Sequence, residues 1–172
     1  MKLLDDSTTP SGDEPTVWAP IPTDLGVAWI EWIGATVTRL GLPGTPAPPG
    51  PPTPVSARFA PLASGLRRYF GGVGPLPKVE AIGGVDGSTR LRRRIYEVVS
   101  EIPRGSTMTY SEVAAVAGRS GAARAVGAAM AENRFAPIIP CHRVLGSDGG
   151  LRGYAGGLAM KRHLLDMESS DA

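Results

Sequence analysis

Half of the fourteen residues from Gly41 to Pro54 are proline, and three more are glycine. Proline lacks a backbone N–H and fixes φ, so this run excludes both a helix and a central strand and is expected to form an extended loop. Upstream, residues 16–42 alternate loosely between apolar and small side chains, including Val17, Trp18, Ile21, Trp29, Ile30, Trp32, Val37 and Leu40, with Gly26 and Gly34 as punctuation. That pattern predicts a small β-meander, with the three tryptophans filling its core. Residues 1–15, polar and rich in Asp, Ser, Thr and Pro, are expected to form a disordered tail. Downstream, Leu62–Phe70 predicts a short helix stopped by Gly71-Gly72. Residues 73–87 read as a connection with Val79 and Ile82 as its anchors. Residues 16–86 thus form an N-terminal α/β domain interrupted by the loop at 41–54.

The texture changes after Ser88. Leu91, Ile95, Val98, Val99 and Ile102 recur at helical spacing, and Pro103-Arg104-Gly105 ends the run. Thr109-Tyr110-Ser111-Glu112 has the form of a capping box, in which Thr109 and Glu112 satisfy backbone N–H groups reciprocally at a helix start. This helix ends near Gly118, and a second, rich in Ala and Gly, runs from Ala122 to about Glu132. Two helices across a short glycine-containing turn resemble a helix-turn-helix. Between Ala122 and Met130 only Arg124 is long and charged. Base readout needs several Arg, Asn or Gln side chains. The second helix therefore suits either sequence-blind contact in a nucleic-acid groove or close packing on another helix. Leu158, Leu164, Leu165 and Met167 predict an amphipathic C-terminal helix that also carries Lys161, Arg162 and Glu168, with His163 a surface or packing residue. The fold class is α/β (α+β): a small N-terminal β-sheet domain with a helix, then a mostly helical, winged-helix-like domain over 87–168 and a tail at 169–172.

Charge follows the same division. Residues 1–86 carry six Lys/Arg against eight Asp/Glu, whereas residues 87–168 carry twelve against seven. The basic half fits a polyanionic partner, although a solvated surface explains the excess nearly as well. No run approaches the ~20 consecutive apolar residues of a membrane span, and the start lacks a signal-peptide core. A cytoplasmic protein is expected. One cysteine in the chain excludes a disulfide framework and a multi-cysteine zinc site.

That cysteine lies in Ile138-Ile139-Pro140-Cys141-His142-Arg143-Val144-Leu145, after the apolar run Phe135-Ile139 and before the glycine-rich stretch 146–157. The layout predicts a buried strand delivering a thiol to the mouth of a pocket, with glycine backbone close by. A thiolate is nucleophilic when a base or cation supports it. A free cysteine in apolar surroundings is also the ordinary small core residue.

Pro140-Cys141-His142-Arg143-Val144 resembles the active-site signature of the O6-alkylguanine-DNA alkyltransferases, or methylated-DNA–protein-cysteine methyltransferases. It arrives with Thr109-Tyr110, Ala123-Arg124-Ala125-Val126-Gly127, Asn133, Gly153-Tyr154-Ala155-Gly156-Gly157-Leu158 and Glu168 in matching order and spacing over residues 87–168. The first half resembles the family's leading β-domain in outline. Resemblance implies DNA repair by direct reversal: one irreversible transfer of the alkyl group from O6-alkylguanine, with O4-alkylthymine a further substrate, to Cys141. It assigns Cys141 as nucleophile, His142 as base through a water, Glu168 as its orienting carboxylate, and Tyr110 as hydrogen-bond partner of the guanine. Asn133 would brace the turn behind Cys141. Backbone groups of Cys141, Val144 and Ala155 would hold the flipped base, and Tyr154 would line the alkyl pocket. Arg124 would be the flipping finger, with Ala123, Ala125 and Gly127 letting its helix into the minor groove.

The implied partner is double-stranded DNA, bound sequence-tolerantly by a monomer that can act cooperatively, without cofactor or metal. Arg134 stands where the family usually has proline, and Leu91 and Tyr96 where many members have Phe and Trp. Three rivals remain: an alkyltransferase-like protein that recognises damage without transfer, a helix-turn-helix regulator with an inert cysteine, and a Cys-His hydrolase.

Overall fold

The computed structural model describes residues 14–77 and 89–170. Residues 1–13 of the expected tail at 1–15, the anchors Val79 and Ile82 and the last two residues lie outside them. The chain divides into two compact units at Gly87/Ser88.

The first unit is a three-stranded antiparallel meander, β1 (Thr16–Thr23), β2 (Gly26–Ile33) and β3 (Thr36–Gly41), in sequential order. Pairing of Thr23 with Gly26 and of Ile33 with Thr36 leaves two-residue hairpins, the second opened by Gly34 at φ +53°, a conformation that suits glycine. Period-2 alternation buries Ala19 and Ile21 of β1 with Ala28, Ile30 and Trp32 of β2. Against them packs α1 (Ala60–Phe70), which buries Leu62, Leu66, Tyr69 and Phe70.

Trp29 and Trp32 are core residues, as expected, but Trp18 is only half-buried. It instead ties down the proline-rich loop. Its Nε1 donates to the Gly50 carbonyl at 3.2 Å, and its own carbonyl accepts from Thr53 N at 2.8 Å. A segment that cannot join a ladder through its prolines is thus held at the few positions that retain polar contacts.

Gly41 lies under the Trp29 ring, where an added Cβ would overlap the indole. Gly41→Ala is therefore expected to destabilise the first unit by roughly 1–3 kcal/mol, as overpacking does. A urea titration followed by tryptophan fluorescence measures it.

The second unit contains α2 (Arg90–Ser100), β4 (Met108–Thr109), α3 (Tyr110–Val116), α4 (Ala123–Ala131), β5 (Val144–Leu145) and α5 (Gly157–Ser169). α2 is capped by Thr89, whose hydroxyl accepts from Arg92 N, and buries Ile95, Val98 and Val99. The capping box forms as read: Thr109 Oγ1 accepts from Glu112 N at 3.2 Å, and Glu112 Oε2 accepts from Thr109 N at 2.6 Å. α3 and α4 pack as a pair. The Tyr96 hydroxyl donates to the Ala129 carbonyl at 3.0 Å and so links α2 to α4.

β4 and β5 pair in parallel, Met108 with Val144 and Thr109 with Leu145. This short ladder sets the start of α3 beside the segment that follows Cys141.

Two local expectations are corrected. The cysteine is not on a strand. Cys141–Arg143 is a 3-10 turn, and only Val144–Leu145 is extended. Pro137 and Pro140 bracket the isoleucines and remove two ladder donors, so the chain turns: Cys141 N donates to the Ile139 carbonyl at 2.7 Å and Arg143 N to the Pro140 carbonyl at 2.9 Å. In addition, the apolar face of α5 is not its inward face throughout. Leu158 is 49% exposed, while Lys161, Leu164 and Glu168 are buried. Spacings of three and four place those residues on one stripe.

Candidate active site

Cys141 sits in the 3-10 turn, 5% exposed. Asn133, just beyond α4, braces it. Its Nδ2 donates to the Ile139 carbonyl at 2.8 Å and to Cys141 Sγ at 3.1 Å, while Oδ1 accepts from Phe135 N at 2.9 Å. One amide thus closes the 133–141 turn and faces the sulfur. Burial pushes the thiol above its ordinary pKa, opposed by the Asn133 hydrogen bond and then by the charge of Lys161. At neutral pH the sulfur therefore rests as a thiol, and its proton must be taken during reaction.

His142, next in the turn, is fully buried. Its Nε2 lies 3.1 Å from Glu168 Oε1 on α5. The carboxylate can only accept, so Nε2 carries the proton and Nδ1 is the ring's acceptor. Burial lowers the His142 pKa; Glu168 opposes this, and Arg143 and Lys161 lower it further. The imidazole is neutral at pH 7 and able to take a proton.

Two buried cations complete the cluster, and sequence reasoning had given neither a role. Arg143 donates from Nε to Glu168 Oε2 at 2.8 Å, from Nη2 to Glu168 Oε1 at 2.7 Å and from Nη1 to the Ile102 carbonyl at 2.6 Å. Lys161 donates to the Val144 carbonyl at 2.7 Å. The available signal was helical spacing: Lys161 stands three residues before Leu164 and seven before Glu168, on the stripe that faces inward.

Beside this cluster lies a cleft of about 760 Å³. Tyr110, Arg124, Gly127, Tyr154 and Ala155 line it, and Ala123 contributes at the α4 end. Ala125 is exposed but is not among the lining residues, nor are Cys141 and Val144. Two side chains connect cleft and cluster. The Tyr110 hydroxyl is raised in pKa by desolvation first and by the Cys141 charge second, so it stays protonated within electrostatic range of the sulfur. The Tyr154 ring meets the His142 ring edge-on, centroids 6.4 Å apart. Among the described residues, no group of three or more His, Cys, Asp or Glu side chains could hold a metal ion, and no helix is long and apolar enough to cross a membrane.

A helix pair borders a cleft, and behind it lie a thiol with an amide brace and a carboxylate-held imidazole, the arrangement of a protein built around one cysteine. Residues 90–170 match the family model for the DNA binding domain of 6-O-methylguanine DNA methyltransferase. A methylated-DNA–protein-cysteine methyltransferase of Methanothermobacter thermautotrophicus is 55% identical over 82 residues, 48% of this chain and 46% of the relative. That match spans about half the relative's length.

Coverage is broader among solved structures. The Mycobacterium tuberculosis O6-methylguanine methyltransferase superposes with a TM-score of 0.77 at 34% identity, over 92% of this chain and 95% of that one. A structure of the Mycobacterium tuberculosis OGT in complex with DNA aligns with the same TM-score at 35% identity, over 90% and 94% of the two chains. The chain belongs to the methylated-DNA–protein-cysteine methyltransferase family.

Proposed function

We propose that this protein repairs DNA by direct reversal, moving the alkyl group of O6-alkylguanine onto Cys141 in a single turnover. The bond from alkyl carbon to guanine O6 breaks, and a bond from the same carbon to Sγ forms. The thiol proton passes by way of His142, acting through a water, and a proton is returned to the departing guanine. The observation that carries the reading is the arrangement around one sulfur: Asn133 Nδ2 at 3.1 Å from Sγ, and the adjacent imidazole held by Glu168 at 3.1 Å. Together they favour the thiolate as it forms and orient the base that takes its proton.

Tyr110, protonated and in the cleft wall, offsets the charge that develops on the guanine. Arg124 enters the duplex from the minor groove and takes the place of the flipped nucleotide. Gly127 and Ala123, small and facing the same cleft, keep α4 close to the DNA. Binding is phosphate-driven and sequence-tolerant, by a monomer acting in the cytoplasm. The Val144 carbonyl, fixed by Lys161 at 2.7 Å, is a rigid acceptor for the flipped base, with the backbone of Cys141 and Ala155. Tyr154 lines the pocket for the alkyl group. The thioether product is not reversed by any leaving-group chemistry of this site, so each molecule acts once.

The test is to mix the protein with a duplex oligonucleotide containing O6-methylguanine and weigh the intact chain. One added methylene mass is expected, mapped to Cys141 and absent from Cys141→Ala, with plain guanine left in the DNA. Tight binding of the damaged duplex without a mass change would instead identify a damage-recognition protein, and repeated turnover would exclude the stoichiometric reading.

A further inference from the structure

His142 has its charged partner, Glu168, on α5, and that partner is shared. Arg143 takes both carboxylate oxygens, at 2.8 and 2.7 Å, and Oε1 serves His142 as well. The third arm of the guanidinium is fixed to the Ile102 carbonyl at 2.6 Å, just past α2. All three side chains are buried. Arg143 thus fixes the carboxylate from two directions, leaving one oxygen aimed at one ring nitrogen. We propose that Arg143 is a positioning residue for the alkyl transfer: acting through Glu168, it determines which nitrogen of His142 carries the proton and keeps the ring a neutral acceptor. This rests on the alkyl-transfer reading and adds to it a member that never touches the substrate.

The electrostatics have a definite sign. An uncompensated buried carboxylate against Nε2 would favour imidazolium, and a protonated ring cannot take the thiol proton. Arg143 neutralises that carboxylate. Among the described residues, Lys161, also on α5, and the aromatic edge of Tyr154 act on the ring as well. Lys161 acts in the same direction as Arg143 but bonds the Val144 carbonyl rather than Glu168. Arg143 both bonds the carboxylate and offsets its charge.

The experiment uses the chain's two histidines. Nitrogen-15 NMR of the imidazoles, followed against pH in the full-length protein, reports tautomer and protonation for buried His142, with exposed His163 as an internal reference. In the wild type, His142 should show a protonated Nε2 and a midpoint below the ordinary imidazole range, as its burial dictates. In Arg143→Gln its midpoint should rise by about one unit or more, and the acid limb of the Cys141 alkylation rate should move up with it. Arg143→Lys should restore most of both, because it keeps the charge.

A His142 midpoint and acid limb unmoved in a folded Arg143→Gln protein, judged by its methyl dispersion, would overturn the inference. Failure of both variants to fold would also overturn it, leaving Arg143 a purely structural residue. A wild-type chain that gains no methyl while showing the expected NMR behaviour would refute the alkyl-transfer reading instead.

Discussion

Glu168→Leu is expected to lower stability by about 3–5 kcal/mol and to slow alkyl transfer steeply at the same time. The carboxylate accepts from His142 and twice from Arg143, and both partners are buried. Removing it leaves a guanidinium without its counter-charge, and breaking a buried pair from one side costs that much. Thermal or urea unfolding of the full chain measures the first effect. The second is read as the methyl-transfer rate, expected to fall by roughly 10²–10⁴-fold, the usual contribution of a positioned base. Glu168→Gln separates them, since an amide keeps the shape and some hydrogen bonds but not the charge. It should retain more stability than activity. Equal, small losses in both variants would mean that the cluster is neither a stability centre nor the support of the base.

Arg124→Ala should slow repair of O6-methylguanine in duplex DNA by on the order of 10–100-fold, because flipping a base costs a few kcal/mol and each ~1.4 kcal/mol is a tenfold change in rate. Reaction with the free base of O6-methylguanine should stay within about twofold, since no stack has to be opened. The residue is exposed on α4 and lines the cleft, apart from the buried cluster, so folding should be untouched. Single-turnover rates on the two substrates decide the matter. Parallel losses on both would assign Arg124 to the alkyl pocket rather than to the duplex.

Much of this was legible in the residues themselves. The helix around Ile95 and Val99, the capping box at Thr109, and the meander before the prolines all rest on local rules, periodicity and capping, that tertiary packing here reinforces. Resemblance brought Asn133, His142 and Glu168 to one place, and the distances place them there. The cysteine segment was misread as a strand because apolar runs are ambiguous in period. The prolines at 137 and 140 were the deciding signal. Arg143 and Lys161 escaped notice for a different reason. Long cations normally lie at the surface, and their burial becomes acceptable only once Glu168 and the Ile102 and Val144 carbonyls are known to receive them. Those partners are 25, 41 and 17 residues away along the chain, beyond any local window. Leu158, grouped with Leu164, Leu165 and Met167 as the apolar side of an amphipathic helix, faces outward from the stripe that Lys161, Leu164 and Glu168 define.

The two-residue ladder between β4 and β5 has a mechanical implication. Thr109 is registered against Leu145, so Tyr110 and the turn bearing Cys141 are yoked by main chain rather than by side-chain rotamers. On the reading proposed above, the main chain that carries the attacking atom and the group meeting the departing base is therefore set once, when the polypeptide folds. On that reading an incoming nucleotide would meet a backbone already assembled, and the entropy of gathering it would be spared at the moment of encounter.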